Sequence, residues 1–127
     1  MKLDKDNLCA VIGASNNKEK YGYKVLKDLK ESGYKVVPIN LHEDKVLGLE
    51  TYKSILDVNS KIKMVIFVVP PKATEKILRD VKKLKIKKVW MQPGSESDQA
   101  IRYCEENNIE CIHNICMIIK NHDNLLN

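Results

Sequence analysis

Residues Met64-Val65-Ile66-Phe67-Val68-Val69 form an unbroken apolar, largely β-branched run that stops at Pro70-Pro71. A strand with one wet face alternates apolar and polar residues. A run with no alternation needs cover on both faces, the position of a central strand in a parallel sheet. Helical patterns supply that cover. Tyr23–Lys30 places Val25, Leu26 and Leu29 on one face, and Thr74–Leu84 does the same with Ile77, Leu78, Val81 and Leu84. A third pattern runs from Ser97, placed as an N-cap, to Cys104. Shorter β runs at Leu8–Ile12, Tyr34–Ile39, Val89–Gln92 and Glu110–Ile112 alternate with them, and Glu50–Tyr52 after Gly48 reads as a short third strand. Strands alternating with helices imply βαβ units. The expected class is α/β: a Rossmann-like, doubly wound three-layer sandwich with a mostly parallel sheet of five to six strands.

A chain of 127 residues with 43% hydrophobic content is expected to form one domain over 1–127, with a polar tail from about 121. No apolar stretch approaches the roughly 20 residues a membrane helix needs. The opening Met1-Lys2-Leu3-Asp4-Lys5-Asp6 is polar, so a cytoplasmic location and no membrane are expected. The net charge of +5 is carried by lysines spread over most of the chain, with one local cluster at Lys82-Lys83-Leu84-Lys85-Ile86-Lys87-Lys88 that reads as a solvated helix end, and only Arg79 and Arg102 are arginine. With aromatics at 6%, nothing marks a basic face built to contact bases, and no nucleic acid is expected. Cys9, Cys104, Cys111 and Cys116 show no Cys-x-x-Cys spacing, and His42, His113 and His122 are scattered, so no metal site is expected.

The chemistry concentrates at the ends of the strands. The first run leads at once into Gly13-Ala14-Ser15-Asn16-Asn17-Lys18-Glu19-Lys20-Tyr21-Gly22 and then a helix. A glycine there leaves the backbone open to a close ligand, and a helix start offers free N–H groups to an anion. Three other strands end in Pro38-Ile39-Asn40, Val69-Pro70-Pro71 and Gln92-Pro93-Gly94. In an open α/β sheet these ends share one edge, where ligands bind. An NAD site wants Gly-x-Gly-x-x-Gly and an acid after the second strand. Here there is one glycine, a longer loop and Asn40. A P-loop is also absent, because no Gly-Lys-Ser or Gly-Lys-Thr occurs. The hydroxyl, amide and ammonium donors of Ser15, Asn16, Asn17, Lys18 and Lys20 suit a highly phosphorylated ligand.

These residues resemble a family. Ala10-Val11-Ile12-Gly13-Ala14-Ser15, Lys20-Tyr21-Gly22, Gly33 to Asn40, Leu47-Gly48 before Tyr52, Val89-Trp90-Met91-Gln92-Pro93-Gly94 and Asn114-Ile115-Cys116 occur in the order found in small stand-alone CoA-binding proteins. Those proteins are similar to the N-terminal CoA-binding domain of the succinyl-CoA synthetase alpha subunit. The resemblance runs from about Asp6 to Asp123 and implies coenzyme A as the ligand. It implies that Gly13, Ala14, Ser15, Asn16, Asn17, Lys18, Lys20 and Gly22 surround the phosphates. Asn40, Leu41 and His42 would flank the adenosine end. Val69, Pro70 and Pro71 would line the groove, with Gln92, Pro93 and Gly94 towards the pantetheine. Cys116, after the last strand, would stand near the CoA thiol. No catalytic constellation converges, so the expectation is a binding module, carrier or sensor without independent catalysis. It would take CoA or an acyl-CoA, with a protein partner from an acyl-CoA pathway, as monomer or homodimer. An NAD(P)-binding Rossmann enzyme or redox-sensing domain is the alternative.

Overall fold

The computed structural model describes residues 5–115. Five strands, β1 (Leu8–Ile12), β2 (Lys35–Ile39), β5 (Ile62–Phe67), β6 (Lys88–Met91) and β7 (Glu110–Ile112), form one parallel sheet in the order β2-β1-β5-β6-β7. Helix α1 (Tyr21–Glu31) joins β1 to β2, α2 (Pro71–Lys83) joins β5 to β6, and α3 (Asp98–Glu106) joins β6 to β7. The apolar run thus lies mostly in β5, with neighbours on both sides.

Alternation along the strands builds two cores. Cys9, Val11, Met64, Ile66 and Trp90 face α1, packing on Val25, Leu26 and Leu29. Ala10, Ile12, Val65, Phe67, Val89 and Met91 face Leu78 and Val81 of α2 and Ala100 and Cys104 of α3. These are the three layers of a Rossmann-like sandwich.

The connection from β2 to β5 differs from expectation. In place of a strand at Glu50–Tyr52 it holds an antiparallel hairpin of β3 (Lys45–Val46) and β4 (Leu49–Glu50), then a short 3-10 helix at Ile55–Asp57. Leu47 and Gly48 adopt φ values of 52° and 75°, the geometry of a two-residue hairpin turn. Tyr52 makes a single bridge to the outer edge of β2, its N–H donating to the Pro38 carbonyl and its carbonyl accepting from Asn40 N. Pro38 is tolerated in β2 because this is the edge strand. Its carbonyl points outward to Tyr52, so the N–H it lacks would also have faced away from β1. The main sheet therefore has five strands.

Helix boundaries also moved. α1 begins at Tyr21 and α2 at Pro71, each earlier than the apolar periodicity suggests. Proline at the first helical position lacks an N–H that would have no partner there. On α2 the buried residues are Thr74, Leu78 and Val81. Ile77 is half-buried and Leu84 is exposed, so the helix is rotated from the expected face.

Candidate functional site

The chain places β2 on one side of β1 and then crosses back to place β5 on the other. Loops leaving the carboxyl ends of β1 and β5 therefore diverge, which opens a crevice at that edge. A cleft of about 510 Å³ lies there, within the usual range for small-molecule sites. Its floor is Ile12 and Gly13 from β1 and its loop, with Ile39, Asn40, Leu41 and His42 from β2 and the turn after it. One wall is Lys53, Ser54 and Ile55; the other is Val69 with Ala73, Lys76, Ile77 and Asp80 of α2. The cleft sits on the α2 side of the sheet, and α1 covers the opposite side.

Gly13 and Gly22 allow three backbone segments to meet at this edge. Gly13 has φ +92°, and a Cβ on it would lie 2.2 Å from the Val68 carbonyl oxygen. A Cβ on Gly22 would lie 1.9 Å from the Gly13 carbonyl oxygen. Both glycines seat α1 and the β5 loop against the β1 turn, since a side chain on either would meet backbone.

Side chains of the first loop mostly shape the loop itself. Ser15 Oγ accepts from Asn17 N at 3.0 Å, and Asn17 Oδ1 accepts from Glu19 N at 3.0 Å. Asn16 Nδ2 donates to the Lys45 carbonyl at 2.8 Å, fastening the loop to β3. Lys18 and Lys20 are exposed, no side chain caps the first turn of α1, and no acid lies in that turn. The positive end of the helix dipole and two ammonium groups thus share one flank of the sheet edge.

Asn40 stands where a nicotinamide-dinucleotide site would carry an acid. Its Nδ2 donates to the Ala14 carbonyl at 2.7 Å. Its Oδ1 accepts from His42 N at 2.6 Å and Glu43 N at 2.7 Å. The side chain is committed to joining the β1 and β2 loops.

Of the residues expected in the site, Gly13, Asn40, Leu41, His42 and Val69 line the cleft. Ala14, Ser15, Asn16, Asn17, Lys18, Lys20 and Gly22 lie on the adjoining loop and helix start, outside the lining. Pro70 and Pro71 begin α2 beside it. Gln92, Pro93 and Gly94 do not line it; Gln92 is buried, and Ser95 two positions after Pro93 accepts from Val69 N at 3.1 Å, binding the β6 loop to the β5 loop. Cys116 lies outside the described residues. The sequence reading missed Lys53, Ser54, Ile55, Ala73, Lys76, Ile77 and Asp80 as lining residues. The spacing 73, 76, 77, 80 is itself a helical stripe, the one signal that could have found those four.

The described thiols stand apart from the cleft. Burial pushes the Cys9 thiol up to about 12, against a lesser opposing effect of Lys88. Cys104 and Cys111 share a hydrogen bond that raises Cys104 and lowers Cys111, but β7 is at the far edge of the sheet from β2. Among the described residues no group of three or more His, Cys, Asp or Glu is placed to hold a metal ion, and no helix is long and apolar enough to cross a membrane.

Known proteins resemble this chain in sequence and in fold. The chain is 46% identical over 70 residues to the alpha subunit of an ADP-forming acetate–CoA ligase II from Pyrococcus furiosus, covering 54% of this chain and 15% of that one. It is 40% identical over 78 residues to an ADP-forming acetate–CoA ligase from Methanocaldococcus jannaschii, covering 61% of this chain and 11% of the relative. The chain thus spans a small part of the length of these ligases. A solved structure of a conserved hypothetical protein from Pyrococcus furiosus superposes with a TM-score of 0.85 at 34% identity, covering 91% of this chain and 99% of that one. A family model described as a CoA binding domain matches residues 7–122, and the chain belongs to that family.

Proposed function

We propose that this chain binds coenzyme A or an acyl-CoA as a binding module, carrier or sensor, without chemistry of its own. The adenosine part enters the cleft between Ile39, Leu41, Ile55 and Ile77, and the pyrophosphate crosses the sheet edge over the Gly13 turn towards Lys18, Lys20 and the start of α1. The pantetheine then leaves along Val69 and Pro70 towards the β6 loop. The observation that carries this reading is the placement of an apolar cleft on one flank of the β1 turn and an uncapped helix start with two lysines on the other. A phosphorylated adenosine needs both environments at once. Ligase chemistry would have to come from protein parts beyond this domain.

Thermal denaturation with CoA, acetyl-CoA, NAD and NADP at equal concentration tests the reading. A ligand at about 100 times its dissociation constant stabilises by about 2.7 kcal/mol, or on the order of 8 °C in a domain of this size. CoA or acetyl-CoA is expected to give that shift and NAD a much smaller one. A shift with NAD and none with either CoA form overturns the reading.

A further inference from the structure

We propose that Lys53 and Lys76 form a second anion site inside the cleft, one that takes the monophosphate on the ribose of a coenzyme A-type ligand and selects it over nucleotides lacking that group. The inference rests on the coenzyme A reading above. Three observations carry it. First, the two lysines reach the same cleft from separate elements. Lys53 follows Tyr52, whose bridge to Pro38 and Asn40 pins it beside the carboxyl end of β2. Ser54 then caps the 3-10 helix through Leu56 N, so the backbone of Lys53 is fixed on both sides. Lys76 lies on the α2 stripe that forms the facing wall.

Second, among the described residues neither ammonium group has a hydrogen bond or ion pair. Asp80, four residues beyond Lys76, faces the cleft but lies outside ion-pair distance of it. Two cations against one carboxylate leave the cleft positive, a local field that favours an anion there.

Third, these lysines are separated from those of the first loop. Lys18 and Lys20 lie beside the start of α1, whereas Lys53 and Lys76 lie on the α2 side of the sheet. A pyrophosphate and a ribose phosphate leave the sugar from different carbons, so one ligand carrying both can engage the two cation pairs together. A ligand with the pyrophosphate alone leaves the second pair unmatched.

Calorimetric titration of the full chain with CoA and with dephospho-CoA tests this, using Lys53→Met, Lys76→Met and the double variant, with folding checked by circular dichroism. Both lysines are exposed, so the variants should fold. The wild type is expected to bind CoA at least about tenfold more tightly than dephospho-CoA, a factor typical of one charge-assisted contact. Each variant should lose most of that ratio while holding dephospho-CoA within about twofold, and raising salt should narrow the wild-type ratio. If CoA binds and the double variant keeps the full ratio, or weakens both ligands equally, the assignment of the lysines is overturned and the CoA reading stands. If the wild type binds neither ligand, the CoA reading falls and the assignment with it.

Discussion

Gly22 has no room for a side chain because the Gly13 carbonyl occupies the place of its Cβ. The obstacle is backbone on an adjoining turn, which cannot rotate away. Gly22→Ala should therefore cost about 3 kcal/mol in urea denaturation, although alanine is the better helix former. A variant as stable as the wild type would mean that α1 slides freely on the β1 turn. Cys9 offers a second test. Its thiol is fully buried and ionises only near pH 12, above its ordinary value of 9.0. A folded pKa raised above the unfolded one means that the stabilisation is complete below about pH 9 and is lost as pH rises towards 12. The loss should approach about 1.4 kcal/mol per pH unit in that window. Urea midpoints of wild type and Cys9→Ala, compared from pH 8 to 11, should converge as the pH rises. Parallel curves would show that Cys9 does not ionise on unfolding in this range.

Each helix ends in the same way. In α1 the N–H of Tyr34 donates to Leu29 O and that of Gly33 to Lys30 O; in α2 the pairs are Ile86 to Val81 and Lys85 to Lys82. α3 ends with Ile109 N on Cys104 O. These are Schellman closures, which need a left-handed residue just past the helix. Glycine fills that position in α1, but Lys85 fills it in α2 with φ 61°. A side chain there is strained, so Lys85→Gly should stabilise the protein by about 0.5–1 kcal/mol. The thermal midpoint should rise by a few degrees; a fall would mean that the freedom glycine adds to the unfolded chain outweighs the relief. This end was legible at Gly33, where glycine marks it, and hidden at Lys85, where only the folded backbone reveals the left-handed turn.

At the scale of the molecule, the cleft is held together by bonds between loops that are distant in sequence. Asn40 joins the β2 turn to Ala14, Ser95 joins the β6 loop to Val69, and Asn16 joins the first loop to Lys45. Asn40→Asp keeps the two acceptor bonds to His42 and Glu43 but sets a carboxylate against the Ala14 carbonyl. It should cost about 1–3 kcal/mol in urea denaturation and gain no NAD affinity by calorimetry, despite restoring the acid expected of a dinucleotide site. Tight NAD binding by the variant would show that the side chain turns into the cleft when charged. The layers, the parallel sheet and the edge where the loops gather were legible in the residues alone. Those follow from periodicity, from an apolar run that must be covered twice, and from turn residues at strand ends, all of them local properties. Which loops share the cleft was settled by packing in three dimensions. The rotation of α2 turned Ala73, Lys76, Ile77 and Asp80 towards β2, and the Tyr52 bridge carried Lys53 there across the edge strand. Both depend on how elements far apart in the chain pack against one another, and no residue's neighbours in sequence encode that.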